Sequence, residues 1–483
     1  MKERIKQLET AARVLDPNTE ARALLRDKVI QYTEKYLEQL PVAPAYRAPG
    51  HHSTGSYEAS AISEEPGDMQ TALTFLGENV DYAGATMSGG YLAFIPGSGM
   101  YASALADYMA AVTNRYVGVY FASPGGIEIE RRLLRWMADF IGYPASAAGD
   151  LTSGGSIANL VAVVTARDAH GLKAKHYENA VVYLSEQTHH SVDKALRIAG
   201  LKECPRRYIP LDDRFRMRPD ALEKAITRDR KAGLYPWLII AAAGSTDTGA
   251  VDPLVPISDL ARKYGLWLHT DGAYGAPFAL CDPGKTMLQG IEQSDSLILD
   301  GHKGLFLPYG SGAVLIRDRK HLIQSHHYSA SYLQDAETLV SPDEISPSEM
   351  SPELSRPFRG LRLWLPLKIA GVAPFRAALE EKILLARYFH EKIKQMDGFT
   401  VGPYPDLSIV TFRYLPEHGD ANTFNQKLIS AVQEDGRIFL SSTMLDGKFT
   451  LRMAVLGLRT HQDTIDLALA ILQEKAKAIK SAG

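Results

Sequence analysis

The sequence predicts an α/β protein: a mostly parallel β-sheet covered on both faces by helices. Two observations carry this reading. Between about residues 145 and 318, short apolar runs rich in β-branched residues alternate with segments of helical spacing. Such alternation builds βαβ units, whose crossover helices cover both faces of a parallel sheet.

Taken in order, AVVYLS (180–185) is a strand, and HSVDKALRIAG (190–200) is a helix stopped by glycine. RRYIPL (206–211) is a strand, RPDALEKAITRDRKAG (218–233) a helix and WLIIAAA (237–243) a strand. PISDLARKYG (256–265) is a helix, and LWLHTD, SLILDG and AVLIRD are strands ending at 271, 301 and 318. Residues 1–90 hold two helical patterns and a Gly/Pro/His-rich stretch, too little to form a core alone. They are expected to be an arm packed on another domain or a partner subunit. Residues 91–370 form the large domain, with an irregular Ser/Pro/acid-rich loop at about 328–356, expected to be a lid or a disordered link. Residues 371–483 read as a small α+β domain: a helix, the strands LSIVTFRYL and FTLRMAVL, and a closing helix.

Composition narrows the function. The 483 residues carry 53 Lys+Arg against 56 Asp+Glu, a net charge of -3, with no block of one sign. Nucleic acid and anionic membrane surfaces are therefore not expected partners. The N-terminus, MKERIKQLETAARVLD, is too charged for a secretory signal, and no apolar run reaches membrane-span length. The expected location is the cytoplasm. Cys204 and Cys281 are the only cysteines, too few for a disulfide framework.

In open α/β sheets ligands bind beyond the carboxyl ends of the strands. Those positions here hold His189, Gly244-Ser245-Thr246, Asp271, and His302-Lys303. Ser153-Gly154-Gly155-Ser156 opens a helix, which suits a phosphate, although it equally reads as a plain capped turn. A lysine desolvated at a strand end, as Lys303 would be, loses proton affinity and becomes nucleophilic toward a carbonyl. Asp271 ends an apolar strand and needs a partner, for which a protonated ring nitrogen would serve. His269 and Asp271 share a strand face but lack a third ligand of matching spacing, so no metal is expected. Gly97-Ser98-Gly99-Met100-Tyr101-Ala102 fits the dinucleotide pattern G-x-G-x-x-A, yet no ribose-binding acid stands near residue 120.

Ordered along the chain, FASPGGIEIE, LTSGGSIANL, YLSEQTHHSVDKALRIAG, GSTDTGAVDPL, LHTDGAYGA, DGHKG, SASYLQ, RPFRGLRLW and LRMAV resemble the group II pyridoxal-phosphate-dependent decarboxylases. The resemblance implies the type I pyridoxal-phosphate (aspartate aminotransferase-like) fold, with a seven-stranded-type sheet. It also implies a homodimer with the active site at the interface. Residue by residue, Lys303 matches the Schiff-base lysine, Asp271 the partner of the pyridine nitrogen, and His189 the histidine stacked on the ring. Gly155 and Ser156 match phosphate-binding positions, with Thr246 and His302 nearby. Tyr332 matches the loop tyrosine that returns a proton to the substrate carbon.

The sequence departs from the family at several positions. Asp300 stands where animal aromatic decarboxylases carry asparagine, and an acid is unfavourable near a phosphate. It is therefore not expected to touch one directly. Ile157, Gly304, His190 and the Ser88-Gly89-Gly90 stretch also differ. These changes leave the cofactor reading intact and bear on the substrate. Phe94, Ile95 and Pro96 align with the side-chain pocket. That segment has no Arg or Lys to grip a side-chain carboxylate, so the expected substrate is an aromatic or largely apolar L-amino acid. An acidic or diamino substrate, or another pyridoxal-phosphate carbon–carbon lyase or aldehyde synthase chemistry, is the alternative.

Overall fold

The computed structural model describes residues 1–47, 60–327 and 345–482. The chain starts with helices α1 (Lys2–Ala12), α2 (Thr19–Gln39) and α3 (Met69–Asn79). Neither α1 nor α2 buries a residue. Helices α4 (Tyr101–Thr113) and α5 (Pro124–Ile141) lead into the main sheet.

The main sheet has seven strands: β1 (Ala148–Thr152), β2 (Ala180–Leu184), β3 (Arg206–Tyr208), β4 (Tyr235–Ala242), β5 (Trp267–Asp271), β6 (Ser296–Leu299) and β7 (Gly312–Ile316). Their spatial order is β1-β7-β6-β5-β4-β2-β3. Strands β3, β2, β4, β5 and β6 pair in parallel, and β7 runs antiparallel to both β6 and β1. Strand β1 therefore points the same way as β6. The last residues of β1, β2, β4, β5 and β6 all emerge at one edge.

Period-two alternation decides what each strand residue touches. Val181 and Tyr183 of β2, with Ile239 and Ala241 of β4, enter one core. Ala180, Val182, Leu184, Leu238 and Ile240 enter the other. Helix α5, α8 (Pro219–Lys231) and α9 (Leu254–Tyr264) cover the first face, and α6 (Gly155–Ala169) and α7 (His190–Ile198) the second. Because both sets are apolar, the strands read as unbroken apolar runs.

Two sequence expectations change in extent. RRYIPL pairs only over residues 206–208, because Pro210 has no N–H to continue the ladder. Strand β1, sequence AGDLT, carries no apolar run. Gly149 is required there, since a Cβ would meet the Val314 carbonyl oxygen at 2.2 Å.

Helices α10 (Asp282–Met287), α11 (Gly301–Gly304), α12 (Arg319–His326) and α13 (Leu361–Ala370) complete the main layer. Then α14 (Ala373–Lys394), β8 (Phe399–Val401), β9 (Ile409–Tyr414), α15 (Ala421–Asp435), β10 (Ser441–Leu445), β11 (Lys448–Ala454) and α16 (Gln462–Ala482) build a second layer. Its four-stranded sheet, in the order β10-β11-β9-β8, is antiparallel throughout. Strands β8 and β10 and helix α15 are additional to the sequence reading.

Residues 345–360 are irregular but pinned. Ser346 and Glu349 form a reciprocal capping box, and Arg131 donates to the Ile345 carbonyl at 2.7 Å. The buried Arg356 guanidinium bridges two buried acids, Asp150 of β1 and Glu130 of α5, the latter at 3.0 Å. Arg356 and Arg359 both donate to the Leu151 carbonyl. This ties the segment to the strand that ends at the Thr152–Gly155 turn.

Removing one member of a buried ion cluster strands the others without counterions. Arg356→Ala should lower unfolding free energy by about 3–5 kcal/mol, measured by urea denaturation. Arg262→Ala, which breaks an exposed pair with Asp259, should cost less than about 1 kcal/mol. Equal losses in the two variants would contradict the assignment.

Candidate active site

The shared edge of the strands opens on a cavity of about 370 Å³. Lys303, His189, Asp271, Gly155, Ser156, Thr246 and His302 all line it. Each arrives there because it directly follows or ends a strand, or opens the helix after β1.

The cradle forms where β1 turns into α6. Gly154 adopts φ +152°, a conformation L side chains rarely take. A Cβ on Gly155 would stand 3.1 Å from Asp300 Oδ2, and one on Gly154 would stand 3.3 Å from the His302 ring. The glycines thus leave open a gap that any side chain would crowd. No side chain caps α6. The Ile157 and Ala158 amides bond to the Gly154 carbonyl, so the Gly155 and Ser156 amides are the ones at the open helix end. Free amides at a helix N-terminus attract an anion.

Lys303 sits in α11, between β6 and β7. Its Nζ is 3.0 Å from Asp300 Oδ2. Asp300 is buried, and its Oδ1 has no hydrogen-bond partner. The acid therefore faces the lysine, which balances its charge. His302 Nδ1 lies 2.7 Å from the Ser311 carbonyl oxygen, so Nδ1 carries the proton and donates. The His302 ring lies 5.5 Å from that of Tyr309, another cavity residue. Gly304 takes the place of a larger residue because a Cβ there would press within 2.6 Å of Pro277.

Asp271 is half-buried at the end of β5. Its Oδ1 accepts from the Ala273 amide at 3.1 Å, and its Oδ2 accepts from Asn159 Nδ2 at 3.2 Å. His189 caps α7, and its Nδ1 accepts from the Ser191 amide at 3.3 Å. Burial lowers the proton affinity of His189, with Asp271 pulling the other way. His269 is fully buried and pushed down to about 4 by desolvation. Both of its ring nitrogens are engaged, by Ser296 and by Asn159.

Thr246 lies in the turn after β4, which begins with Gly244 at φ +94°. A Cβ there would clash at 2.7 Å with the ring of Tyr274. Arg452 of β11, almost fully buried, donates to the Thr246 carbonyl at 2.6 Å and to the Phe94 carbonyl at 2.9 Å. It thereby joins the second sheet to the cavity rim.

Phe94, Ile95 and Pro96 are not among the cavity-lining residues. Phe94 is 58% exposed at φ +52°, held from both sides by Arg452 and Ser441. Tyr332 falls outside the described residues. The Gly97–Ala102 motif leads into α4 without a preceding strand, unlike a dinucleotide site. Sequence reading missed Asn159, Ser191, Tyr309 and Arg452. Asn159 had a usable signal: a polar side chain in an apolar helical stretch, four residues after Gly155 and so on its face.

The residues present suit pyridoxal phosphate. That cofactor carries an anionic phosphate, an aldehyde and a basic ring nitrogen, and the cavity holds an open helix N-terminus, a lysine and a carboxylate. The model of the pyridoxal-dependent decarboxylase conserved domain matches residues 60–415. An aromatic-L-amino-acid decarboxylase from Bacillus atrophaeus is 40% identical over 405 residues, spanning 83% of this chain and 84% of that protein. Tyrosine decarboxylase 2 of Arabidopsis thaliana is 34% identical over 80% of this chain and 73% of its own length. Phenylacetaldehyde synthase of Petunia hybrida is 30% identical over 81% of each. Among solved structures, Oryza sativa TDC with PLP and tryptamine superimposes with a TM-score of 0.89 at 24% identity, covering 96% of this chain and 99% of that one. Sequence match and fold converge on one conclusion: the chain belongs to the pyridoxal-dependent decarboxylase family and is a pyridoxal-phosphate-dependent carboxy-lyase acting in amino acid metabolism.

Proposed function

We propose that this chain converts an aromatic or largely apolar L-amino acid to its amine and CO2, as a cytoplasmic homodimer. The observation that carries the reading is the meeting of Lys303, Asp271, His189 and the α6 N-terminus in one cavity. When bound there, pyridoxal phosphate supplies an electron sink for the charge that CO2 loss leaves on the substrate carbon. Lys303 provides the amine for the aldehyde. Asp271, held by two N–H donors, would pair with a protonated ring nitrogen. His189 offers a flat face for stacking, which orients the bond to be broken. Gly155, Ser156, Thr246 and His302 hold the phosphate end and the rim. Tyr332 would carry the proton to the substrate carbon.

The substrate class rests on charge. Among the described residues, Lys303 is the only Lys or Arg lining the cavity. Once it is engaged by an aldehyde, no cation there is free to hold a side-chain carboxylate. The aromatic decarboxylase relative at 40% identity points the same way. Phe94, Ile95 and Pro96 reach a substrate as rim residues if a second copy closes over them.

The dimer rests on exposed apolar surface. Leu8, Leu24, Leu25, Val29 and Ile30 of the arm are exposed, as are Leu105, Tyr108, Met109 and Val112 along one side of α4. Surface of that extent marks an interface. We place the arm at 1–90, the cofactor domain at 91–370 with its loop at about 328–356, and the small domain at 371–483.

Three outcomes test the reading. With a panel of L-amino acids scored by mass, Tyr, Trp or Phe should give amine and CO2 in preference to Glu, Asp or 2,4-diaminobutyrate; aldehyde as the main product would favour the synthase relatives instead. Borohydride reduction and peptide mapping should place the label on Lys303, and Lys303→Ala should lose activity about a thousandfold or more. The third is a pH profile. Burial holds His189 below its ordinary 6.5, so it is neutral at pH 7 and gains charge only as pH falls through that lowered value. A cation there repels Lys303 and a protonated ring. Turnover should therefore fall on an acid limb centred below 6.5, and His189→Gln should abolish that limb.

A further inference from the structure

A continuous chain of buried hydrogen bonds runs behind the cavity, and the chemistry of its members fixes every proton. Its centre is Asn159 of α6, 1% exposed. The Asp271 carboxylate only accepts, so the amide nitrogen of Asn159 must face it, at 3.2 Å. The same nitrogen donates to Ser191 Oγ at 3.0 Å. The carbonyl Oδ1 of Asn159 therefore faces His269 Nε2 at 2.8 Å, and His269 must donate from that nitrogen.

The remaining bonds then follow. His269 is neutral, so its Nδ1 is a lone pair and accepts from Ser296 Oγ at 2.8 Å. Ser296 Oγ in turn accepts from Trp267 Nε1–H, also at 2.8 Å. At the other end the Ser191 amide donates to His189 Nδ1, which makes that nitrogen an acceptor, so Ser191 Oγ, accepting from Asn159, turns its proton to it at 2.7 Å. His189 is thereby left with its own proton on Nε2. Trp267, Ser296, His269 and Ser191 are all at most 5% exposed.

We propose that Asn159, oriented by His269, is the positioning residue of the site: its single carboxamide holds the Asp271 carboxylate for the ring nitrogen and, through the Ser191 hydroxyl, holds His189 in place at its Nδ1. Both ends of the cofactor's contact surface, the acid at the ring edge and the imidazole at the ring face, are then governed from one buried side chain. His269 supplies the donor that stops the carboxamide from flipping. A flipped amide would set an oxygen against the carboxylate. The titratable and charged groups facing this chain are Asp271, His189, His190, Lys303 and Asp300, and only Asp271 and His189 bond to it directly.

This rests on the proposed roles of Asp271 and His189, so the test measures cofactor binding rather than turnover alone. Cofactor-free protein is titrated with pyridoxal phosphate, followed by visible absorbance and circular dichroism. Wild type should bind and develop the visible band; if it does not, the proposed function itself falls. Asn159→Asp, which replaces both donors by an acceptor beside Asp271, should weaken binding about 10- to 100-fold, the range for a hydrogen bond to a charged group. It should also shift the pH dependence of the band.

His269→Gln keeps a donor toward Asn159 and an acceptor toward Ser296, so it should bind within about threefold of wild type. His269→Leu should resemble Asn159→Asp. A merely structural role would make His269→Gln and His269→Leu lose binding together, in step with their thermal midpoints. That result overturns the inference, as does wild-type affinity and an unshifted pH profile in Asn159→Asp. Should Asn159→Asp fail to fold, the two His269 variants decide alone: rescue by Gln and not by Leu supports the inference, and equal behaviour defeats it.

Discussion

Charge that is buried at a strand end has to be answered where it stands, and this fold is organised around three such answers. Asp150, on β1, is met by the Arg356 guanidinium, which also answers Glu130. Asp300, just past β6, is met by Lys303 three residues on. Asp271, closing β5, is met by two N–H donors and keeps room for a further cation. Two of the three bring a distant part of the chain to the sheet: Arg356 to Asp150 and Asn159 to Asp271. An isolated carboxylate in such surroundings would take up a proton instead. The pairing therefore maintains the geometry between these groups.

The polar layer is matched by an apolar one. Two cores flank the sheet, and the strand residues that feed them alternate without a break. Rigid strands of this kind position side chains more tightly than loops do. The second sheet docks onto the same edge through Arg452 and through Tyr274, whose hydroxyl lies 2.7 Å from Ser408 Oγ. The cavity floor belongs to one layer and part of its rim to the other.

Much of this was readable in the amino acids. Strands buried on both faces announce themselves as apolar runs, which is why β2, β4, β5, β6 and β7 were located within a few residues. Lys303, Asp271 and His189 stood out because polar residues directly after such runs need a reason. Strand β1 was not legible. Gly149 and Asp150 break its apolar pattern, and their partners, the Val314 carbonyl and Arg356, lie far away in sequence. The same applies to Arg452, whose acceptors are all carbonyl or hydroxyl oxygens and whose burial nothing local signals. Local periodicity reports which face is buried, and it is silent on which remote group neutralises a charge there. The placing of Phe94, Ile95 and Pro96 outside the cavity has the same origin, since the rim depends on how layers meet.

The position of β1 carries a consequence for biosynthesis. Among the described residues its only neighbour in the sheet is β7, whose residues Gly312–Ile316 are translated long after Ala148–Thr152. At ribosomal speeds of about 5–20 residues per second, β1 waits on the order of ten seconds for that neighbour to be made. Throughout this interval the strand that leads into the turn beyond Thr152 lacks its sheet neighbour. The sheet edge that carries the cavity is consequently completed only once the later strands have been made.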